Sequence, residues 1–279
     1  MTSGAGQTRS QDALQLEALL VSRAYLYTLF NKLLGGTPDA DVLAALLGPT
    51  TADVLDEFDE QSPALKAFSS MLAGLREQDQ EALLDAMRDE YTRVLIGPAN
   101  LPASPYESPY TGAHDMALFQ ENTVAVRRAY HAQGLRAKRE QAVPDDHIAL
   151  MCAFMAALGG RSLDSLRAGE YAALAEGLRA QAAFQSAHMG DWLGIYAKSV
   201  RNSKAGSQHV LYPQLIEALA AFVKADADFL KESAFWAESQ KDGEATGVAP
   251  ELSAAQVALE DLQALRPFGI QDNELVSVD

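Results

Sequence analysis

The chain has 279 residues, of which 48% are hydrophobic and 22% charged, the balance of a folded globular protein rather than of a disordered, fibrous or disulfide-stapled one. A chain of this length buries about three quarters of the surface its unfolded form exposes, enough for a core without cross-links. With 22 basic against 38 acidic residues the formal net charge is −16; such a surface repels nucleic acid and anionic lipid, so neither is an expected partner, and it attracts cationic segments instead.

The single Cys152 has no partner within the chain, which fits a reducing compartment. The opening residues MTSGAGQTRSQD hold no apolar run of signal-peptide length. The most apolar stretch, Ile148 to Leu158, is about half of what a bilayer span needs. These features predict a soluble protein of the cytoplasm.

In chain order, Leu16, Leu19, Leu20, Tyr27, Phe30 and Leu34 recur at helical steps and predict a first helix over 12–34. Gly35-Gly36 ends it, and Thr37-Pro38 opens the next. Ser62-Pro63 repeats that start signal, and a fourth helix over 78–96 carries Leu83, Leu84, Met87, Tyr91, Val94 and Leu95, so four helices precede residue 97. Residues 97–112 read GPANLPASPYESPYTG, where Pro98, Pro102, Pro105 and Pro109 forbid a helix. Helical patterns return over 114–133, 145–158, 163–183, 185–200 and 208–236. Residues 240–250 read as a linker, 253–265 as a last helix stopped by Pro267, and 268–279 as a frayed end. Strand-like alternation never lasts more than a few residues and no repeat period is present. The predicted class is all-α, an irregular bundle of about ten helices with a proline-rich connecting loop. One helical domain spans 1–239, with halves 12–96 and 114–236 joined by loop 97–112, and 240–279 forms a linker and extension.

Charge is uneven. Residues 39–90 hold 13 acidic and 3 basic side chains, whereas 127–139 hold 5 basic and no acidic ones; solvated helix faces account for both. Phosphate-cradling loops, dinucleotide fingerprints, zinc-protease and serine-hydrolase motifs are all missing. The five histidines are scattered, and only His147 stands beside carboxylates, Asp145 and Asp146. That trio has the composition of a metal or general-base site, but the stronger local reading of Pro144-Asp145-Asp146 is a helix start with carboxylates on the positive end of the dipole. Arg127-Arg128 lies mid-chain in a helical pattern and is no export signal. Cys152 sits in an apolar helix as core. No catalytic residue, metal or cofactor is predicted.

The proline-rich loop admits two readings. Tyr106 and Tyr110 bracket Glu107 and Ser108, two aromatic faces and a carboxylate suited to an apolar peptide with a cationic group, and prolines lower the entropy lost on binding. The other reading is a kinked connector whose tyrosines are core.

The stretch EYTRVLIGPANLPASPYESPYTG, Glu90 to Gly112, resembles the signature of the TorD/DmsD-type redox-enzyme maturation chaperones. The matching positions are Glu90-Tyr91, Leu95-Ile96-Gly97-Pro98, Pro102, Pro105 and Tyr106-Glu107-Ser108-Pro109-Tyr110. Tyr106 departs from a common tryptophan and Ile96 from a common phenylalanine, exchanges that alter which peptide fits. Pro144-Asp145-Asp146-His147-Ile148 resembles the family's second motif. His188, Trp192 and Tyr196 resemble a later stretch, and Arg23 to Tyr27 and Tyr212 to Leu230 the first and closing helices. The likeness runs from about 14 to 236. It implies an all-α cytoplasmic chaperone of anaerobic respiration, without a reaction of its own. Its partners would be the twin-arginine leader and the catalytic subunit of a molybdopterin oxidoreductase, held back from export until cofactor insertion. The implied peptide site comprises Ile96, Gly97, Pro98, Pro105, Tyr106, Glu107, Ser108, Tyr110, Asp145, Asp146 and His147. In it the apolar stretch lies on Ile96, Pro105, Tyr106 and Tyr110, the arginines meet Glu107, Asp145 or Asp146, and His147 bonds the peptide backbone. His188 and Trp192 are read as mostly structural. The competing expectations are a nitrate-reductase-type assembly chaperone whose client lacks an exported leader, and a GTP-binding or GTP-hydrolysing protein. A monomer or a domain-swapped dimer is compatible with the pattern.

Overall fold

Helix α1 (Gln11–Gly35) is the axis of the fold: from Leu20 to Asn31 every residue is buried. A helix without a solvent face needs neighbours on all sides. In this computed structural model they are α2 (Ala40–Leu47), α3 (Pro49–Asp59), α8 (Ile148–Ala168), α11 (Tyr212–Glu238) and α12 (Ala254–Ala264). The structure describes residues 11–59, 62–97, 101, 103–111, 116–139, 143–203, 209–242, 253–266, 269 and 274–278, with only the backbone of 116–120. Helix α4 (Pro63–Arg76) packs on α3 and α11, and α5 (Gln80–Tyr91) follows it. Helices α9 (Tyr171–His188) and α10 (Gly190–Asn202) pack on α11. Helix α8 has the length and hydropathy of a membrane span, yet 67% of its apolar window is buried inside the bundle.

The class is all-α, as the periodicity predicts, but the segmentation differs. The described residues hold twelve α-helices, five of them before residue 97. Gly48-Pro49 splits the second predicted helix into α2 and α3, because proline supplies no amide to continue the ladder. The cap of α2 is Asp39, whose carboxylate accepts from Val42 N at 2.9 Å, and not Thr37. Residues 159–162, left between two predicted helices and containing Gly159-Gly160, lie within α8. There Gly159 faces Ala24 of α1, where a side chain as small as alanine would already be in contact, so packing against α1 overrides the weak helix propensity of glycine. The real break is Gly169, at φ +73°, whose amide closes the helix on Leu166 O. The proline loop is not wholly non-helical: Ser108–Thr111 form one turn, α6, with Pro109 in a first turn that needs no amide.

The centre of the bundle holds charge. Arg23 of α1 and Asp226 of α11 are both fully buried and paired, with Nη2 to Oδ2 at 2.9 Å. Tyr27 OH and Gln185 Nε2 donate to the same Asp226 Oδ2 at 2.8 and 3.0 Å, and Gln181 Oε1 accepts from both Arg23 Nη atoms at 3.1 and 3.2 Å. Gln181 reaches on to Ser162 Oγ of α8 at 2.9 Å. Four helices thus share one hydrogen-bonded knot, which fixes their register where apolar packing alone allows sliding.

The segment after residue 239 returns to the body. Ser253 caps α12, and Leu259 and Leu262 are buried in contact with the core. Beyond it, Leu275–Ser277 (β2) pair antiparallel with Leu135–Ala137 (β1), a strand following α7 (Met116–Ala132). The predicted fraying of 268–279 is corrected here for 275–277: three residues carry too little alternation to be read as a strand from sequence, and the pairing depends on a distant partner.

Candidate peptide-binding site

The site begins where α5 ends. Glu90, 1% exposed, accepts from the amides of Val210, Leu211 and Tyr212 at 3.1, 2.6 and 3.1 Å. It thus supplies the anion that the start of α11 lacks on its own side chains. After Tyr91 the backbone widens into a π-helical turn, Thr92–Ile96, closed by Gly97 N to Thr92 O at 2.6 Å. Gly97 stands at φ +61°, and a Cβ there would sit 2.9 Å from a Leu101 methyl. Glycine is required by conformation and by space. The turn leaves Ile96 41% exposed. Pro98 and Pro102 of the motif lie outside the described residues.

The two motif segments meet. Glu107 N donates to Asp146 O at 3.1 Å and Ile148 N to Pro105 O at 2.9 Å, an antiparallel bridge joining Tyr106 and His147. Asp146 then organises the loop. Its Oδ2 accepts from Ser108 N at 3.0 Å and from Ser108 Oγ, and its Oδ1 from Thr123 Oγ1 of α7 at 3.0 Å. One carboxylate therefore caps α6 and ties it to α7. Asp145 Oδ2 accepts from Arg127 of α7, at 2.8 Å to Nε and 2.6 Å to Nη2, and Tyr130 OH donates to Asp145 O at 3.0 Å. Both carboxylates are 0% exposed. They hold the loop on the body and face away from any solvent-borne peptide, a geometry different from the arginine contacts expected of them. The helix after them starts at His147, not at 145: its Nδ1 accepts from Ala149 N at 3.1 Å, which leaves the ring proton on Nε2. Burial pulls the His147 pKa down to about 4, so the neutral ring is the working form.

Glu107 is 3% exposed and faces His188 of α9, with Oε2 3.1 Å from Nδ1. Burial raises its pKa; the His188 contact opposes this and the nearby Asp146 charge adds to it. Tyr110 OH donates to Ser104 O at 2.8 Å while its ring stacks on Trp192, centroids 5.5 Å apart. Trp192 is fixed by Nε1 to His188 O at 2.8 Å, and Tyr196 closes the cluster at 6.2 Å from Tyr110. Tyr106 packs edge-on to His147 at 4.9 Å. Pro105 and Ser108 are buried, Tyr106 and Tyr110 half-buried and Pro109 exposed.

Three elements remote in sequence therefore converge on the loop: 145–148 by backbone pairing, α7 through Asp146 and Asp145, and α9–α10 through His188, Trp192 and Tyr196. Of these, Thr123, Arg127 and His188 are partners that sequence reasoning left out or read as bulk structure. His188 is the one with a signal, since it opens an aromatic run resembling the family's; Thr123 and Arg127 have none, because their role depends on where α7 docks. Among the described residues no group of three or more His, Cys, Asp or Glu side chains gathers as a metal site. The polar groups of this constellation are taken up within it: the His147 ring caps α8, Asp146 holds Ser108 and Thr123, Asp145 holds Arg127, and Glu107 faces His188.

A family model described as nitrate reductase delta subunit matches residues 53–197, the span that contains both motifs and Thr123, Arg127, His188, Trp192 and Tyr196. Among curated proteins the chain is similar to the chaperone protein TorD of Shewanella oneidensis, 26% identical over 218 residues covering 76% of this chain and 92% of that protein. The TorD of Shewanella sp. strain ANA-3 is 24% identical over 218 residues, 76% of this chain and 95% of that one. The chain belongs to the nitrate reductase delta subunit family and is a chaperone of the TorD/DmsD type, not an enzyme.

Proposed function

We propose that this chaperone serves the maturation of a molybdenum-containing oxidoreductase in the cytoplasm. It binds the twin-arginine leader of the catalytic subunit, and the subunit's body, supporting cofactor insertion and delaying export. The observation that carries this reading is the exposure of apolar side chains on a braced loop: Ile96 and Pro109 are exposed and Tyr106 and Tyr110 half-buried, while Asp146 holds Ser108 and the Tyr110 hydroxyl holds Ser104 O. Half-exposed aromatic rings on a rigid support give contact area at low entropic cost. A leader is a cationic patch followed by an apolar stretch, and the net charge of −16 supplies the attraction for the first part. In this reading Ile96, Pro105, Tyr106 and Tyr110 form the apolar bed, and Gly97, Pro98 and Ser108 shape it. Asp145, Asp146, His147 and Glu107, all buried, position it from below.

Calorimetric titration of a synthetic leader into wild type and Tyr106→Ala tests the reading. Loss of the ring weakens binding about tenfold, equivalent to about 1.4 kcal/mol, and replacing the two arginines by lysines weakens it as well. Equal affinity for wild type and Tyr106→Ala refutes the bed. The name of the matching family model favours a second reading, a nitrate-reductase-type client without an exported leader; no binding to any leader, with capture of the intact catalytic subunit, selects it.

A further inference from the structure

The face of α1 covered by α12 has no part in leader binding as described. Helix α12 runs parallel to α1 and is clamped at both ends by cations of the body. Arg167 of α8 donates from Nη2 to Gln256 Oε1 at 3.3 Å while its Nε meets Glu17 Oε1 at 2.7 Å. At the other end Lys32 Nζ donates to Leu265 O at 2.7 Å, satisfying a carbonyl at the end of α12. Between the clamps the helix turns a thin stripe inward: Gln256, Leu259 and Leu262 are buried, Ala255 and Ala258 only partly. This is the arrangement of an amphipathic helix laid in a groove, read at steps of three and four residues.

The groove is larger than the helix that sits in it. A cleft of about 350 Å³ stays open beside α12, between Tyr25, Ala44, Ala45 and Gly48 on the body and Ala258 and Leu262 on the helix. Its rim carries two carboxylates, Asp41 of α2 and Asp261 of α12. The resident helix therefore has a small side chain where volume is available and an acid where an acid already stands. A helix with a large apolar residue at the Ala258 position and a cation at the Asp261 position, three residues on and on the same face, fits better on both counts.

We propose that the α1–α2–α3 groove is a second docking surface of this chaperone, for a basic amphipathic helix on the body of its client, and that α12 is a weak resident stand-in displaced when that helix binds. The proposal rests on the chaperone reading only for the identity of the partner; the groove chemistry stands without the leader.

The test uses the full chain and a labelled synthetic peptide copying residues 253–266 with Ala258→Phe and Asp261→Lys. Fluorescence anisotropy is expected to show this probe binding at least tenfold tighter than the unmodified copy. Hydrogen exchange is expected to show amides 254–264 of the chain losing protection as the probe saturates. Ala44→Trp, at an exposed position, fills the cleft from the body side and weakens the probe at least tenfold with leader affinity unchanged. Ala258→Phe in the chain itself fills the cleft from the helix side and has the same effect. A probe no tighter than the unmodified copy, undiminished protection at saturation, or indifference to both variants overturns the proposal. A concentration-dependent dimer that the probe dissolves would assign the groove to a second copy of this chain and also overturns it. Probe binding without leader binding would sink the leader reading alone.

Discussion

Removing the Asp146 carboxylate should loosen the candidate site without touching any surface that meets a peptide. The side chain is fully buried and accepts three hydrogen bonds, from Ser108 N, Ser108 Oγ and Thr123 Oγ1. Each bond to a charged acceptor is worth about 1.5–3 kcal/mol, and a stranded buried donor costs about 1–3 kcal/mol. The losses do not add: the two hydroxyls lie 3.4 Å apart and can turn to each other, so most of the cost falls on the bond from the Ser108 amide. The net cost of Asp146→Ala is then about 3 kcal/mol, a fall of about 1 M in the urea midpoint for a slope near 3 kcal/mol/M. Asp146→Asn keeps an acceptor for the Ser108 amide, and its NH₂ can donate to the Thr123 hydroxyl. That substitution costs about 1 kcal/mol, the difference between charged and neutral hydrogen bonds. Urea denaturation followed by circular dichroism gives both numbers. In leader binding the order repeats: Asp146→Ala weakens affinity through a displaced loop and Asp146→Asn hardly does. If both variants unfold within 0.5 kcal/mol of wild type, or if asparagine costs as much as alanine, the carboxylate is not what holds the loop.

Three further outcomes rest on the same structure. Truncating one member of the central ion pair, as in Asp226→Ala, leaves Arg23 buried and uncompensated and should cost about 3–5 kcal/mol; pairing it with Arg23→Met should recover most of this, read as a double-mutant cycle in denaturant. Gly97→Ala forces a side chain into a left-handed conformation against Leu101 and should cost about 1–3 kcal/mol, measured the same way. His147, held neutral with its pKa near 4, binds fewer protons folded than unfolded. Its contribution is whole above about pH 6.5 and is lost as pH falls toward 4, up to about 3 kcal/mol. Glu107, whose pKa burial raises, works with the opposite sign, favouring the fold as it protonates. His147→Asn, which retains a capping group, should flatten the acid limb of a stability-against-pH curve; an unchanged limb would assign the acid sensitivity elsewhere.

Periodicity makes the helices legible because a buried stripe repeats every three to four residues whatever it packs against. It misplaces boundaries where a neighbour decides: Gly159-Gly160 reads as punctuation until Ala24 is seen opposite, and Gly169 reads as one more glycine. The motif residues are legible as a group, and their chemistry is half legible. A proline-flanked Asp145-Asp146-His147 announces a helix start, and one of its residues does cap the helix. It is the imidazole, however, while the two carboxylates reach sideways to Ser108, Thr123 and Arg127. Which of several adjacent polar groups takes the cap depends on the entry angle of the chain, set here by the Tyr106–His147 bridge. No local pattern encodes that angle. The docking of α12 and the β1–β2 pair are hidden for the same reason: the complementary surfaces lie more than a hundred residues away.

The burial of these carboxylates changes how a cationic partner can be recognised. An acid that is fully desolvated and already bonded cannot take an arginine without surrendering donors it now satisfies, so the motif aspartates act through shape. Attraction must come from the acids left in water, and α2 to α5 carry them at Asp41, Asp53, Asp56, Glu57, Glu81 and Asp85, all exposed. Such charges act over about 8–10 Å at ordinary ionic strength and are screened by salt. On the proposed reading they govern how fast a cationic leader arrives rather than how long it stays. Residence would then fall to the half-exposed rings of the loop, whose contacts salt does not screen. The residues under those rings affect residence and stability together, whereas Tyr106 and Tyr110 themselves affect residence first. That division follows from exposure alone, because a side chain at the water boundary contributes little to folding that a partner does not later claim, and a buried one has been claimed already.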